Sequence, residues 1–160
     1  MRKILKPHEI NNLIKETKNT DESVVLVGGC FDLLHYGHVK FLEKAKEAGD
    51  ILVVALENDQ KIKRLKGENR PIHSQKQRAE ILSALKCVDF IICLPLMNNN
   101  QDYFDLVKKI KPDVIAITED DPQFKNKKKQ AEMVSGKIKS VINHLNVSST
   151  SEIIKLLDNY

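Results

Sequence analysis

Val24-Val-Leu-Val-Gly-Gly-Cys-Phe-Asp-Leu-Leu-His-Tyr-Gly-His38 is the stretch that decides the fold. It opens as a short apolar run rich in β-branched residues and breaks at two glycines. A polar turn follows, and then Val39, Leu42, Ala45 and Ala48 fall on one helical face that Gly49 closes. A buried strand feeding a helix through a glycine turn is the opening unit of a parallel α/β sheet.

The same pattern repeats outward. Residues 51–56, 90–94 and 114–118 are further apolar runs of strand length, and residues 137–142 alternate as a half-exposed edge strand does. Helical periodicity fills the gaps. Ser74 and Gln77 form a capping box before Ile81, Leu82 and Leu85, while residues 102–110 stop at Pro112. Residues 126–134 and 149–157 give two more helices, and residues 7–16 a lead-in helix. Asn98 to Asn100 read as a loop, and Lys127 to Lys129 as a solvated helix face. The expectation is one α/β domain over 1–160, with a lead-in helix in 1–20 and a core in 21–160. Its five parallel strands carry helices on both faces.

Composition limits the function. The chain has 160 residues, 41% hydrophobic and 5% aromatic, which suits a single domain with a real core and excludes general disorder. No apolar run reaches membrane-spanning length, and the start has no apolar leader region, so a cytoplasmic protein with no membrane partner is expected. Basic residues number 26 against 22 acids, a mild and dispersed excess. That suits small phosphorylated anions rather than nucleic acid. Cys30, Cys87 and Cys93 lack any paired spacing, so reduced and mostly buried thiols are expected.

Ligands of an open parallel sheet bind beyond the carboxyl ends of its strands. The polar segments there are residues 28–38, 57–59, 118–121 and 148–150. His35 and His38, three apart at a helix start, project from one face of its first turn. Free N–H groups and the helix dipole favour an anion at the same place, and Gly37 leaves the backbone open to it. The other readings are a metal pair or a core histidine. No third metal ligand is identifiable, and no metal site is assigned.

The run Gly28-Gly-Cys-Phe-Asp-Leu-Leu-His-Tyr-Gly-His38 resembles the signature of the cytidylyltransferase-like nucleotidyltransferases. That Rossmann-like family shares a His-x-Gly-His motif with class I aminoacyl-tRNA synthetases. Arg64-Leu-Lys-Gly67, Arg70-Pro-Ile72, Gln77-Arg78 and Cys87-Val-Asp89 look like the adenylyltransferase domain of the bacterial heptose-phosphate enzymes. Glycerol-3-phosphate cytidylyltransferase and the archaeal FAD synthases are similar at the histidines and Arg78. Val147-Ser-Ser-Thr-Ser151 looks like the family's Ile-Ser-Thr-Thr segment. The match departs at Thr118, Glu119 and Asp120, where heptose-type relatives carry a Lys-Gly-Gly-Asp-like stretch.

The resemblance implies transfer of a nucleotidyl group from a nucleoside triphosphate to a small phosphorylated acceptor, with pyrophosphate release. His35 and His38 would stabilise charge at the α-phosphate. Lys66, on a mobile basic loop, and Arg78, with its planar fork, would hold the outer phosphates with Mg²⁺. Gly28, Gly29, Cys30 and Phe31 would shape the nucleotide floor, while Asp32 fixes the loop. Ser148, Ser149 and Thr150 would offer hydroxyls and N–H groups to phosphate, although helix capping accounts for Ser149 and Thr150 almost as well. The expected substrates are ATP and a heptose-type sugar 1-phosphate. The alternatives are a CTP-dependent alcohol-phosphate cytidylyltransferase, an FAD synthase-like adenylyltransferase, or a nucleotide-binding sensor without turnover. Family relatives are commonly dimers, so a homodimer is compatible with this reading.

Overall fold

The computed structural model describes residues 3–18, 20–142 and 150–157. Its strands are β1 (Ile4–Leu5), β2 (Val24–Gly29), β3 (Ile51–Leu56), β4 (Phe90–Cys93), β5 (Val114–Thr118) and β6 (Lys137–Ile142). They form one sheet in the order β1-β4-β3-β2-β5-β6, with every pairing parallel. A 3₁₀ turn (Pro7–Glu9) runs into α1 (Ile10–Lys18). The remaining helices are α2 (Tyr36–Lys46), α3 (Asp59–Lys66), α4 (Gln75–Ser83), α5 (Asn100–Ile110), α6 (Phe124–Met133) and α7 (Thr150–Leu157). None among the described residues is long and apolar enough to cross a membrane.

The sheet is covered on both faces because its central strands have no polar side. All six residues of β3 are buried. On one face Leu26, Val53, Ile92 and Ile115 pack with Ile10 of α1, Val107 of α5 and Ala131 of α6. On the other, Val25, Val27, Leu52 and Val54 pack with Leu42 of α2 and Leu82 of α4. Each such aliphatic side chain contributes roughly 1.5–3 kcal/mol when fully buried.

Four features differ from expectation. The sheet has six strands rather than five, because Ile4 and Leu5 pair with Ile91 and Ile92 along the open edge of β4. A two-residue strand shows no periodicity, so only the partner edge reveals it. Residues 59–66 form a helix instead of leading into a mobile basic loop. Asn58 caps α3 by accepting from the Gln60 N–H at 2.9 Å, and Gly67 ends it at φ +99°. With Ile62 buried and Leu65 63% exposed, α3 carries too narrow an apolar stripe to announce itself. Asn98 to Asn100 are not simply a loop: Asn99 caps α5, accepting from the Asp102 N–H at 3.1 Å. The three cysteines are free and half-buried.

Chain order reverses at β2. The chain runs from β2 through β3 to β4 on one side, and returns to β5 and β6 on the other. The carboxyl ends of β2 and β5 therefore flank the crevice where open parallel sheets bind ligands.

Candidate functional site

The loop leaving β2 is held in one shape by its neighbours. Phe31 takes φ +44°, a left-handed conformation rare for an aromatic residue. Its ring is buried and packs edge-on against His38, with centroids 5.2 Å apart. A Cβ on Gly29 would come within 2.8 Å of that ring, so only glycine leaves room for it. Asp32 ties the loop to the segment ahead of α4. Its carboxylate accepts from Arg70 Nε at 2.6 Å, and from the N–H groups of Ile72 at 2.8 Å and His73 at 3.1 Å. Burial alone would raise its pKa, but the His73, Ile72 and Arg70 hydrogen bonds outweigh burial and hold it below the ordinary carboxylate value.

His35 is the N-cap of α2 with an extended backbone, and its ring makes no capping bond. It stacks on His38 with centroids 3.8 Å apart and planes 28° from parallel. Both Nδ1 atoms are buried without a hydrogen-bond partner. Burial first, and then the His35 ring, push the His38 pKa down to about 4. His35 is lowered too, by burial and then by Lys66. Both rings are therefore neutral near pH 7, beside the first N–H groups of α2, which a helix itself leaves without an internal acceptor.

These groups converge on a cavity of about 480 Å³. Gly28, Gly29, Cys30, Phe31, Asp32, His35, Gly37 and His38 form one wall. Lys66 reaches it from the last turn of α3, and Thr118, Glu119 and Asp120 close the side beyond β5. Thr150, the first residue of α7, is buried at the rim, where its hydroxyl donates to the Leu33 carbonyl at 3.3 Å. Ser148 and Ser149 lie outside the described residues.

Arg78 does not join them. It is fully buried, and its guanidinium is engaged by protein acceptors. Nε donates to the His73 carbonyl at 3.0 Å and NH1 to the Cys30 carbonyl at 2.5 Å. NH2 donates to the Glu57 carbonyl at 2.8 Å and to Asp59 Oδ1 at 2.6 Å. In place of a phosphate clamp, the fork braces the loops after β2 and β3 against each other. The capping box that opens α4 is as expected, and Arg78 lies on the buried face of that helix. No residue spacing distinguishes that orientation from an outward one.

Lys127 and Asp121 line the same cavity but were absent from the expected set. Lys127 Nζ lies 2.6 Å from Asp121 Oδ2, and both side chains are mostly buried. The lysine run from 127 to 129 thus splits: Lys127 turns into the crevice, while Lys128 and Lys129 are exposed. The only signal in the sequence is the spacing of six residues from Asp121, across a turn that no periodicity locates. Among the described residues no cluster of three or more His, Cys, Asp or Glu side chains could hold a metal ion. An ion carried by phosphates needs fewer, because Mg²⁺ commonly takes one or two carboxylates and completes its shell with phosphate oxygens and water. Glu119 and Asp120 offer two on the cavity wall.

Comparison with known proteins agrees with this architecture. The chain is 41% identical over 113 residues to Bifunctional protein HldE of Wolinella succinogenes, a match covering 71% of this chain and 23% of that protein. The protein of the same name from Syntrophotalea carbinolica is 35% identical over 160 residues, covering 99% of this chain and 32% of its own length. The chain thus spans a third or less of these curated relatives. A lipopolysaccharide core biosynthesis protein from Thermoplasma volcanium superposes with a TM-score of 0.61 at 26% identity, covering 79% of this chain and 99% of its own. Pantoate-beta-alanine ligase from Francisella tularensis shares the fold, with a TM-score of 0.61 at 16% identity, covering 94% of this chain and 69% of its own. The Cytidylyltransferase-like family model matches residues 26–156, which include both histidines, Lys66 and Thr150. This chain belongs to the cytidylyltransferase-like family.

Proposed function

We propose that this chain transfers an adenylyl group from ATP to a heptose-type sugar 1-phosphate, forming an ADP-sugar and pyrophosphate. The observation that carries this reading is the stacked His35–His38 pair at the N-terminus of α2, with Lys66 on the same cavity. Two neutral imidazoles and a helix start can donate to an α-phosphate, while Lys66 meets the outer phosphates. The acceptor phosphate is already an anion, so the step needs no general base. A phosphate oxygen forms a bond to the α-phosphorus, and the bond to the bridging oxygen breaks. Pyrophosphate leaves with the electron pair. Catalysis is then positioning and charge stabilisation. Mg²⁺ bound to the triphosphate would be met by Asp120, and it would supply further neutralisation of charge on the leaving group.

The choice of ATP and a heptose rests on the Arg64 to Ile72 block and on the relatives named HldE. Pyrophosphate release, measured with each of four nucleoside triphosphates against heptose 1-phosphate and glycerol 3-phosphate, tests it. ATP with heptose 1-phosphate should be the productive pair. CTP with glycerol 3-phosphate would move the chain to the alcohol-phosphate cytidylyltransferases. Nucleotide binding without release for any pair would make it a nucleotide sensor.

A further inference from the structure

A second cavity of about 420 Å³ opens on the other side of the β2 loop. Leu26, Ala55 and Ile115 of the sheet form its apolar floor, and α5 and α6 its walls. It shares Gly28, Gly29, Cys30, Asp121 and Lys127 with the first cavity, so the two meet along one seam. Above that floor, charged and amide side chains of α5, α6 and the strand-end loops line the cavity, a mixture that suits a polar small molecule with an apolar face.

Glu57 is the most unusual of them. The Glu57 N–H donates to the Gly29 carbonyl at 3.0 Å, which sets the residue beside the seam. Its carbonyl is held by Arg78 at 2.8 Å. Oε1 accepts from the Tyr103 hydroxyl at 2.9 Å, whereas Oε2 is buried with no hydrogen-bond partner. Lys61 lies over the Tyr103 ring, its Nζ 5.9 Å from the centroid. A rigidly held carboxylate oxygen left unpaired beside a cavity is costly unless a ligand donates to it. A sugar hydroxyl is such a donor. Lys127 faces both cavities, and its ammonium group donates to Asp121 at 2.6 Å. A phosphate that must reach an α-phosphorus beside His35 and His38 has to sit on that seam.

We propose that the second cavity is the acceptor chamber, in which Lys127 receives the attacking phosphate at the seam and Glu57, fixed by Tyr103, accepts a hydrogen bond from a hydroxyl of a polyhydroxylated body. This rests on the transfer reading above. Apolar Leu26, Ala55 and Ile115 beneath that body suit the C–H face of a sugar ring.

Calorimetry separates the two ideas. Heptose 1-phosphate is titrated into the protein saturated with α,β-methylene ATP and Mg²⁺, and pyrophosphate release with ATP is followed separately. Lys127→Met and Glu57→Gln should each weaken heptose 1-phosphate binding by tenfold or more, and Tyr103→Phe by about threefold. Affinity for the ATP analogue should stay within twofold in Glu57→Gln and Tyr103→Phe, whose side chains line the second cavity and not the first. Tyr103→Phe removes only a hydroxyl and guards against misfolding, which thermal unfolding of each variant also checks. Loss of analogue affinity with unchanged heptose 1-phosphate binding would place the nucleoside here and overturn the proposal. Unchanged binding of both, or no sugar phosphate binding by the wild type at millimolar concentration, would overturn it equally. Binding lost in the variants but no pyrophosphate released by the wild type would uphold the chamber and sink the transfer reading.

Discussion

The rings of His35 and His38 stack with centroids 3.8 Å apart; burial and then Lys66 resist protonation of the first, and burial and then His35 resist protonation of the second. A triphosphate reverses that balance, because its negative charge raises both pKa values. Binding should therefore take up protons between the free-state pKa of His38, about 4, and neutrality. Calorimetry of ATP–Mg²⁺ binding at pH 6, in buffers of different ionisation enthalpy, should read an uptake of up to about one proton. Zero uptake would mean that the rings do not face phosphate. Stability runs the other way. In the free protein the folded rings resist protons that the unfolded chain accepts below about pH 6.5, so stability falls as pH drops from there through about 4. His35→Ala or His38→Ala should lower kcat on the order of 10²-fold, the scale of losing one preorganised donor, with little change in unfolding temperature. Lys66 and Arg78 should part company under the same substitution. Lys66→Ala, at an exposed helix end, should raise the KM for the triphosphate and leave stability within about 0.5 kcal/mol. Arg78→Ala strands three part-buried carbonyls and leaves a cavity where a fully buried side chain stood, and should cost about 3–5 kcal/mol in denaturant unfolding. Equal stability losses would contradict the distinction between a ligand-facing cation and an internal brace.

At the scale of elements, the site is assembled by ties between segments far apart in the chain. Asp32 reaches Arg70 and the backbone of Ile72 and His73, and so fastens the β2–α2 loop to the approach of α4. Asp32→Asn keeps the shape but removes the charge beside a buried guanidinium. It should destabilise the fold by about 3 kcal/mol, whereas the double variant with Arg70→Met should recover part of that loss, since the uncompensated charge is then gone. A double variant as unstable as the sum of the singles would show that the two residues act independently. Such ties explain which parts could be read in advance. The strands of the core and the capping box of α4 are local, and their apolar runs and cap residues announce them. The His35–Gly37–His38 turn was legible for the same reason, being one helix start after one strand. Strand β1 was not, since two residues become a strand only against the open edge of β4. Neither was the inward course of Arg78, nor that of Lys127 from a run of three lysines, because both depend on where remote acceptors lie.

Across the whole molecule, the reversal of strand order at β2 sets one cavity on the β5 side and another on the side of α5 and α6, with the β2 loop between. On the proposed reading the nucleoside belongs to the first, where Glu119 stands on the wall beyond β5 and its N–H is fixed to the Ile142 carbonyl at 3.2 Å. That wall has no glycine, so the backbone is screened and side chains meet the base. A carboxylate facing C6 of a purine or C4 of a pyrimidine accepts from the amine that adenine and cytosine carry there, and repels the keto oxygen that guanine and uracil carry at the same position. Charge thus divides the four nucleotides into two pairs without choosing within a pair. Size makes that second choice: a wall set for a purine leaves a pyrimidine poorly packed, a difference of roughly 1–3 kcal/mol, or about ten- to two-hundredfold. Titration of each nucleotide with Mg²⁺ and no acceptor should therefore rank ATP above CTP by that margin, with GTP and UTP weakest. Glu119→Gln should narrow the gap between ATP and GTP, since an amide can also donate to a keto group. CTP binding more tightly than ATP would reverse the size argument and reassign the base, while leaving the histidine pair and its phosphate chemistry as they stand.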